Sequence, residues 1–216
     1  MASRASARRQ DCTSSLAAVD ASRSQEPPDP LGELGAWIED ARARGLSQPA
    51  AVSFVTVDGR PSARTVTLKR LERDALVFTS ALWTRKARDV EANPHVALLF
   101  FWPELGRQAH VAGTAAPAER ELAERLFAER DDLHRLQTIV SRQGEPIDAK
   151  ELAAMRDRLA HLAHVQEAPP ACPADWGALR VTPAAIELWS EAPDRLHERR
   201  LFERSDDGWA ETLLSP

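Results

Sequence analysis

Apolar residues recur along this chain with a spacing that changes three times. Between residues 29 and 45 they fall at Leu31, Leu34, Trp37, Ile38 and Ala41, the three-and-four spacing of a helix with one apolar face. Asp29 and Pro30 suit the cap and the first helical position, and Gly45 suits the end. From 51 to 116 the period drops to two. AVSFVTV, then Asp58-Gly59, then SARTVTLK predicts a β-hairpin, because Asp-Gly fits the tight turns between antiparallel strands. DALVFTS (74–80) predicts a third strand. TRKARDVEAN (84–93) predicts a short helix with Thr84 as N-cap, stopped by Asn93-Pro94. HVALLFFW (95–102) and RQAHVAGTA (107–115) predict two more strands around a turn at Pro103–Gly106. Five strands with short connections and one helical interruption predict a closed or nearly closed antiparallel barrel.

The helical period returns over 118–166. Leu122 and Leu126 share one face of a first helix. A second, from about 148, carries Leu152, Met155, Leu159, Leu162 and Val165 on a stripe that reads as core or dimer packing. PPACPADWG (169–177) breaks the chain but is too short to mark a boundary between domains. Strands are expected again in ALRVTPAAIELWS, RLHERRLFERS and GWAETLLSP, with Asp207-Gly208 as the last turn. Residues 1–28 are rich in Ala, Ser, Arg, Gln and Pro without a period and are expected to be disordered. The reading is one domain over 29–216, mainly β with flanking helices (α+β).

Composition narrows the function. The net charge of −5 over 216 residues argues against general attraction to nucleic-acid phosphates. The longest apolar run, VALLFFW at 96–102, is too short to span a membrane, and the basic start lacks an apolar leader segment. Cys12 and Cys172 are too few and too far apart for a disulfide framework or a metal knuckle. A cytoplasmic protein without nucleic-acid or membrane partners is expected. His161 and His164 lie one turn apart with no third ligand nearby, so they read as solvated and no metal is expected.

Two basic stretches remain. In RTVTLKRLERDALVFTSALWTRK (64–86), Arg64 and Lys69 bracket an uncharged strand, and Arg85 and Lys86 open a helix. A helix start favours an anion, so four converging cations would make a phosphate cradle; two solvated surface pairs fit the spacing equally well. In WSEAPDRLHER (189–199), strand alternation would place Arg195, His197 and Arg199 on one face, where they need carboxylates or an anionic ligand to balance them.

The order of pieces resembles the pyridoxine/pyridoxamine 5′-phosphate oxidase family of FMN flavoproteins. The pieces are R-x-V-x-L-K at 64–69, F-T-S at 78–80, T-R-K-A at 84–87 and N-P-x-V-A-L-L-F-F-W-P-E-L-x-R-Q at 93–108. They continue with S-R-Q at 141–143, W-G-x-x-R-V-x-P at 176–183, I-E-x-W at 186–189 and R-L-H-E-R at 195–199, so the likeness runs unbroken over about 30–216. The resemblance implies an FMN-binding split β-barrel and a homodimer whose two subunits both line each flavin site. It implies FMN contacts from Arg64, Lys69, Phe78, Thr79, Arg85, Lys86, Gln108, Gln143, Trp189 and Arg199. It also implies Arg195 and His197 as the catalytic pair on the flavin face, with His197 positioning the substrate and handling a proton. The implied reaction moves a hydride from the substrate's C4′ carbon to flavin N5. Dioxygen then reoxidises the flavin and yields hydrogen peroxide.

The substrate phosphate of the family is held by a Lys, a Tyr, an Arg and a Ser. Lys69 and Arg130 keep two of these. Leu126 stands for the Tyr, and His134 stands at or next to the Ser, where it would supply a cation when protonated. The chain has no tyrosine at all, and a Gln-Ser pair of the family reads Gln143-Gly144. Three functions follow. One is an oxidase of pyridoxine or pyridoxamine 5′-phosphate that makes pyridoxal 5′-phosphate. Another is the same flavin machinery acting on a different ring, such as a phenazine precursor. The third is a non-catalytic flavin- or pyridoxal phosphate-binding protein, which would not need Arg195 and His197.

Overall fold

The structure is a computed structural model and describes residues 27–216; the expectation of disorder for 1–28 falls almost wholly outside them. The first helix, α1 (Pro30–Ala43), starts as expected, with the Asp29 side chain accepting the Gly32 N–H at 2.9 Å. Its Leu31, Leu34, Trp37, Ile38 and Ala41 are buried in the main core.

The strands follow the alternation. In β1 (Ala51–Asp58), Val52, Phe54 and Thr56 point inward, and Gly59 (φ +69°) turns the chain into β2 (Arg60–Thr67). A two-residue strand, β3 (Arg70–Leu71), precedes β4 (Leu76–Ala81), then come α2 (Arg85–Ala92), β5 (His95–Trp102) and β6 (Arg107–Pro117). Three helices follow, α3 (Arg120–Ala128), α4 (Asp132–Val140) and α5 (Ala149–Val165). The chain ends in β7 (Trp176–Ser190), β8 (Glu198–Ser205) and β9 (Gly208–Leu214). All pairings are antiparallel, in the order β2-β1-β5-β6-β7-β4-β3. The two ends of that order, β2 and β3, are joined by Leu68 and Lys69 alone, so the sheet curls back on itself as the barrel reading expects.

β7 is the strand that splits the barrel. Along one side its Leu179–Ser190 stretch pairs with β6. Along the other, Trp176–Val181 pairs with β4 and Ala185–Ser190 pairs with β8, which carries β9. The crossover coincides with a register shift at Ala112/Gly113 of β6. β4 is buried on both faces, because Leu76 and Phe78 enter the main core while Val77 and Ala81 meet Leu122, Leu126 and Phe127 of α3 in a second core.

Three local expectations are corrected. RLHERRLFERS is a strand only from Glu198, since Arg195 has φ +70° and the 191–197 segment is a loop, so Arg195 and His197 do not alternate on a strand. Lys69 lies beyond the end of β2, where its N–H donates to the Val77 carbonyl at 2.9 Å. The α5 stripe is not core within the chain: α5 packs against α4 and has no buried residue, with Leu152 and Val165 exposed. No described helix is long and apolar enough to cross a membrane.

Candidate functional site

A cavity of about 540 Å³ opens where β2, β4, the first turn of α2 and the α3–α4 helices meet. Alternation along β4 decides what faces it: Phe78 packs edge-on against Phe54 in the core, and Thr79, the next residue, lines the cavity. Lys69 reaches the cavity from the bend between β2 and β3, and Lys86 from α2.

Lys86 is only 8 % exposed. Burial, and then the charge of Arg64 beside it, pull its pKa down to about 8. The Asp89 carboxylate pairs with Arg64 (3.8 Å) and Arg85 (3.6 Å), and among the described residues no carboxylate forms a salt bridge with Lys86. Arg64 itself is held rigidly, donating to the Phe54 carbonyl (3.0 Å), Thr56 Oγ1 (2.8 Å) and Ser62 Oγ (2.8 Å). Thr56 in turn donates to Asp89 Oδ2 at 2.5 Å. A buried lysine beside a fixed arginine is a site that an anion completes. Thr84 does not cap α2 as expected; its hydroxyl turns back to the Ala81 carbonyl and Ser80 Oγ, both at 2.8 Å.

Also lining the cavity, Arg130 lies over the rings of Trp176 (5.4 Å) and Phe127 (5.7 Å) and donates to Thr138 Oγ1 at 2.7 Å. Burial lowers its pKa, yet a guanidinium keeps its charge. Asp131 caps α4, accepting the His134 N–H at 2.9 Å through Oδ1 and meeting His134 Nδ1 through Oδ2. Those bonds hold the Asp131 carboxyl below the ordinary carboxylate value. Leu126 lines the cavity as a buried apolar residue, and Gln143 reaches it from the coil after α4.

Six expected site residues therefore share one cavity: Lys69, Thr79, Lys86, Arg130, His134 and Gln143. Arg64 adjoins it through Lys86. Arg85 faces a separate open cleft beside Arg60 and Arg88. Sequence reasoning missed Trp83, Gln137, Thr138 and Ser141, which also line the cavity. Thr138 sits one turn after His134, a signal that needed the bounds of α4 to be read.

The remaining expected residues form a second group. Gln108, Trp189 and Arg199 stand in direct register across β6, β7 and β8. Arg199 donates to Glu187 Oε1 at 2.8 Å, and that carboxylate raises its pKa. His197 lies beside Trp189, ring centroids 4.9 Å apart, in the loop that also holds Arg195. The two groups are far apart on β7. Thr79 faces Ala178 and Arg199 faces Trp189, eleven positions further along, on the order of 35 Å of extended strand. Within one chain the expected residues thus form two separate groups.

Known proteins carry the same pieces. The family model described as pyridoxamine 5′-phosphate oxidase matches residues 38–157, and that of the pyridoxine 5′-phosphate oxidase C-terminal dimerisation region matches 176–216. The chain is 43 % identical over 192 residues to a pyridoxine/pyridoxamine 5′-phosphate oxidase of Rubrobacter xylanophilus, covering 88 % of each chain. It is 38 % identical over 191 residues to the protein of the same name from Gluconobacter oxydans, covering 87 % of this chain and 94 % of that one. Among solved structures it resembles PhzG from Burkholderia lata 383, crystallised with tetrahydrophenazine-1-carboxylic acid. That match has TM-score 0.81 and 27 % identity, and covers 88 % of this chain and 95 % of the other.

Proposed function

Because this chain belongs to the pyridoxamine 5′-phosphate oxidase family, we propose that it is an FMN-dependent oxidase of pyridoxine and pyridoxamine 5′-phosphates. The product is pyridoxal 5′-phosphate, with dioxygen as acceptor and hydrogen peroxide as by-product. One observation carries the reading: a single cavity is lined by Lys69, Lys86, Arg130 and Thr138, with Arg64 beside Lys86. That donor set fits two phosphates, one of the cofactor and one of the substrate.

Arg64, Lys86 and Gln143 would hold the FMN phosphate end, with Lys69 and Thr79 alongside; Arg85, in the neighbouring cleft, would have to turn toward it, and Phe78, packed in the core, would contribute only through its backbone. Gln108, Trp189 and Arg199 would meet the flavin from a second subunit, which is why the protein works as a homodimer with its sites at the subunit interface. Bound FMN would supply the two-electron redox chemistry that no side chain of this protein offers. Lys69, Arg130, Thr138 and a protonated His134 would fix the substrate phosphate. Arg195 and His197 would press the substrate ring into place and exclude water from it. Residues 29–216 would form the one domain that does this.

A second reading has its own support. Leu126 places an apolar side chain where the family has a tyrosine, and PhzG shares the fold at a TM-score of 0.81. The same machinery would then oxidise a ring without a phosphate. Oxygen uptake by the FMN-loaded protein decides between them. Steady turnover of pyridoxine 5′-phosphate and pyridoxamine 5′-phosphate at micromolar concentration is expected; none, with the flavin bound and reducible, would transfer the assignment to another ring substrate.

A further inference from the structure

The loop between β7 and β8 is pinned through one residue's backbone. The Ala192 carbonyl accepts the Arg195 N–H at 3.1 Å, and the Ala192 N–H donates to His197 Nδ1, also at 3.1 Å. The Asp194 carboxylate accepts the Leu196 N–H at 3.0 Å, which holds the turn on either side of Arg195 at φ +70°. Both polar groups of Ala192 are thus spent on the two residues proposed to face the substrate.

A ring nitrogen accepts a hydrogen bond only through its lone pair, so Nδ1 of His197 carries no proton while this bond exists. In the neutral ring the proton then sits on Nε2. We infer that the Ala192 amide fixes His197 as its Nε2–H tautomer, so that His197 meets the ligand as a hydrogen-bond donor and not as a base. The ligand it suits is a flat ring carrying an acceptor, such as a ring oxygen substituent or a carboxylate, at the position facing Nε2. The nearby Trp189 ring, 4.9 Å away between centroids, bounds the other side of the imidazole. The role of His197 toward substrate rests on the oxidase reading; the tautomer does not. Ala192 is accordingly a positioning residue that acts through His197.

The test is a two-bond proton–nitrogen NMR correlation of the FMN-loaded protein labelled at its six histidines, with His197 assigned by the signal lost in His197→Gln. The pattern of a protonated Nε2 and a bare Nδ1 is expected. A proton on Nδ1 at neutral pH, in either a neutral or a charged ring, overturns the inference. Kinetics give a second measure. Gln carries a donor near the Nε2 position, whereas Asn reaches only the Nδ1 position and can still accept the Ala192 N–H. With pyridoxine 5′-phosphate, kcat should fall about tenfold in His197→Gln and about a hundredfold or more in His197→Asn, at similar FMN retention. Equal losses of a hundredfold or more in both would mark His197 as a base and refute the donor role. Should the wild type turn over neither B6 phosphate, the oxidase reading fails while the NMR pattern still judges the tautomer.

Discussion

A lysine that is 8 % exposed beside an arginine is costly to keep charged, and Lys86 shows how the cavity is tuned. Its pKa of about 8 lies well below the 10.5 of a free lysine, a gap worth on the order of 3 kcal/mol. Between those two values the unfolded chain binds the proton that the folded chain has released, so the stability of the FMN-free protein gains from this group as pH rises from 8 to 10.5. Below 8 the penalty is present in full. Lys86→Met should therefore stabilise the FMN-free protein by about 3 kcal/mol at pH 7 in urea unfolding, and the difference should vanish above the free-lysine value. The same variant should fail to retain FMN. In the wild type, FMN affinity measured by flavin fluorescence should weaken as pH climbs past about 8, where the free cavity loses the Lys86 charge. Arg64, by contrast, stays charged throughout and is fixed by three hydrogen bonds, so Arg64→Ala should weaken FMN retention at every pH. Arg195→Ala should cut turnover far more than FMN affinity, and the reverse pattern would assign the two basic groups to the wrong ligands.

Among the elements, the pair β6–β7 carries the architecture, and Gly113 permits it. A Cβ on Gly113 would stand 2.2 Å from the Thr182 carbonyl oxygen and 2.9 Å from Pro183 Cα, both backbone atoms that cannot give way cheaply. This is the register shift at which β7 passes from β4 to β8. Gly113→Ala should destabilise the protein by roughly 1–3 kcal/mol, read as a lower urea midpoint with the slope unchanged. The bulge could not be read from the sequence, because AHVAGTA keeps its alternation straight through it. What was legible follows from local period. α1, β1, β5 and β6 each bury one clean set of positions. β3 has two residues and so no period. α4 escaped because Leu136 is its only buried residue, while Leu133 and Ile139 stay exposed. Its start was signalled only by Asp131 as cap. The 195–197 segment alternates like a strand, yet Asp194 and Ala192 fold it into a loop through bonds to its backbone and ring. The site was legible as two basic stretches with unassigned partners; the order of family motifs, not the spacing of charges, joined them.

At the scale of the whole molecule, β7 keeps the two residue groups apart: the cavity group hangs near Ala178 and the Gln108–Trp189–Arg199 row eleven residues further along. A strand does not fold on itself, so if the row serves the cavity, as the proposed function has it, a second copy brings it there. The C-terminal segment that supplies Trp189 and Arg199 of the row, 176–216, is also the segment that matches the dimerisation family model. In the proposed function, a two-fold dimer would make each site from the cavity of one protomer and the row of its partner. The consequence is measurable by complementation. A chain bearing Arg64→Ala and Lys86→Ala has a dead cavity with a sound row and loop, whereas an Arg195→Ala chain has a sound cavity and a defective loop beside the row. Each homodimer should be nearly inactive. Co-expressed, half the dimers should be mixed, and each mixed dimer should regain one intact site, so activity should recover to about a quarter of the wild-type level. If each site were built within one chain, both sites of a mixed dimer would be defective and co-expression would restore nothing. Recovery would in addition require that the mixed dimer hold at least one FMN per two chains, which flavin absorbance against protein concentration reads directly.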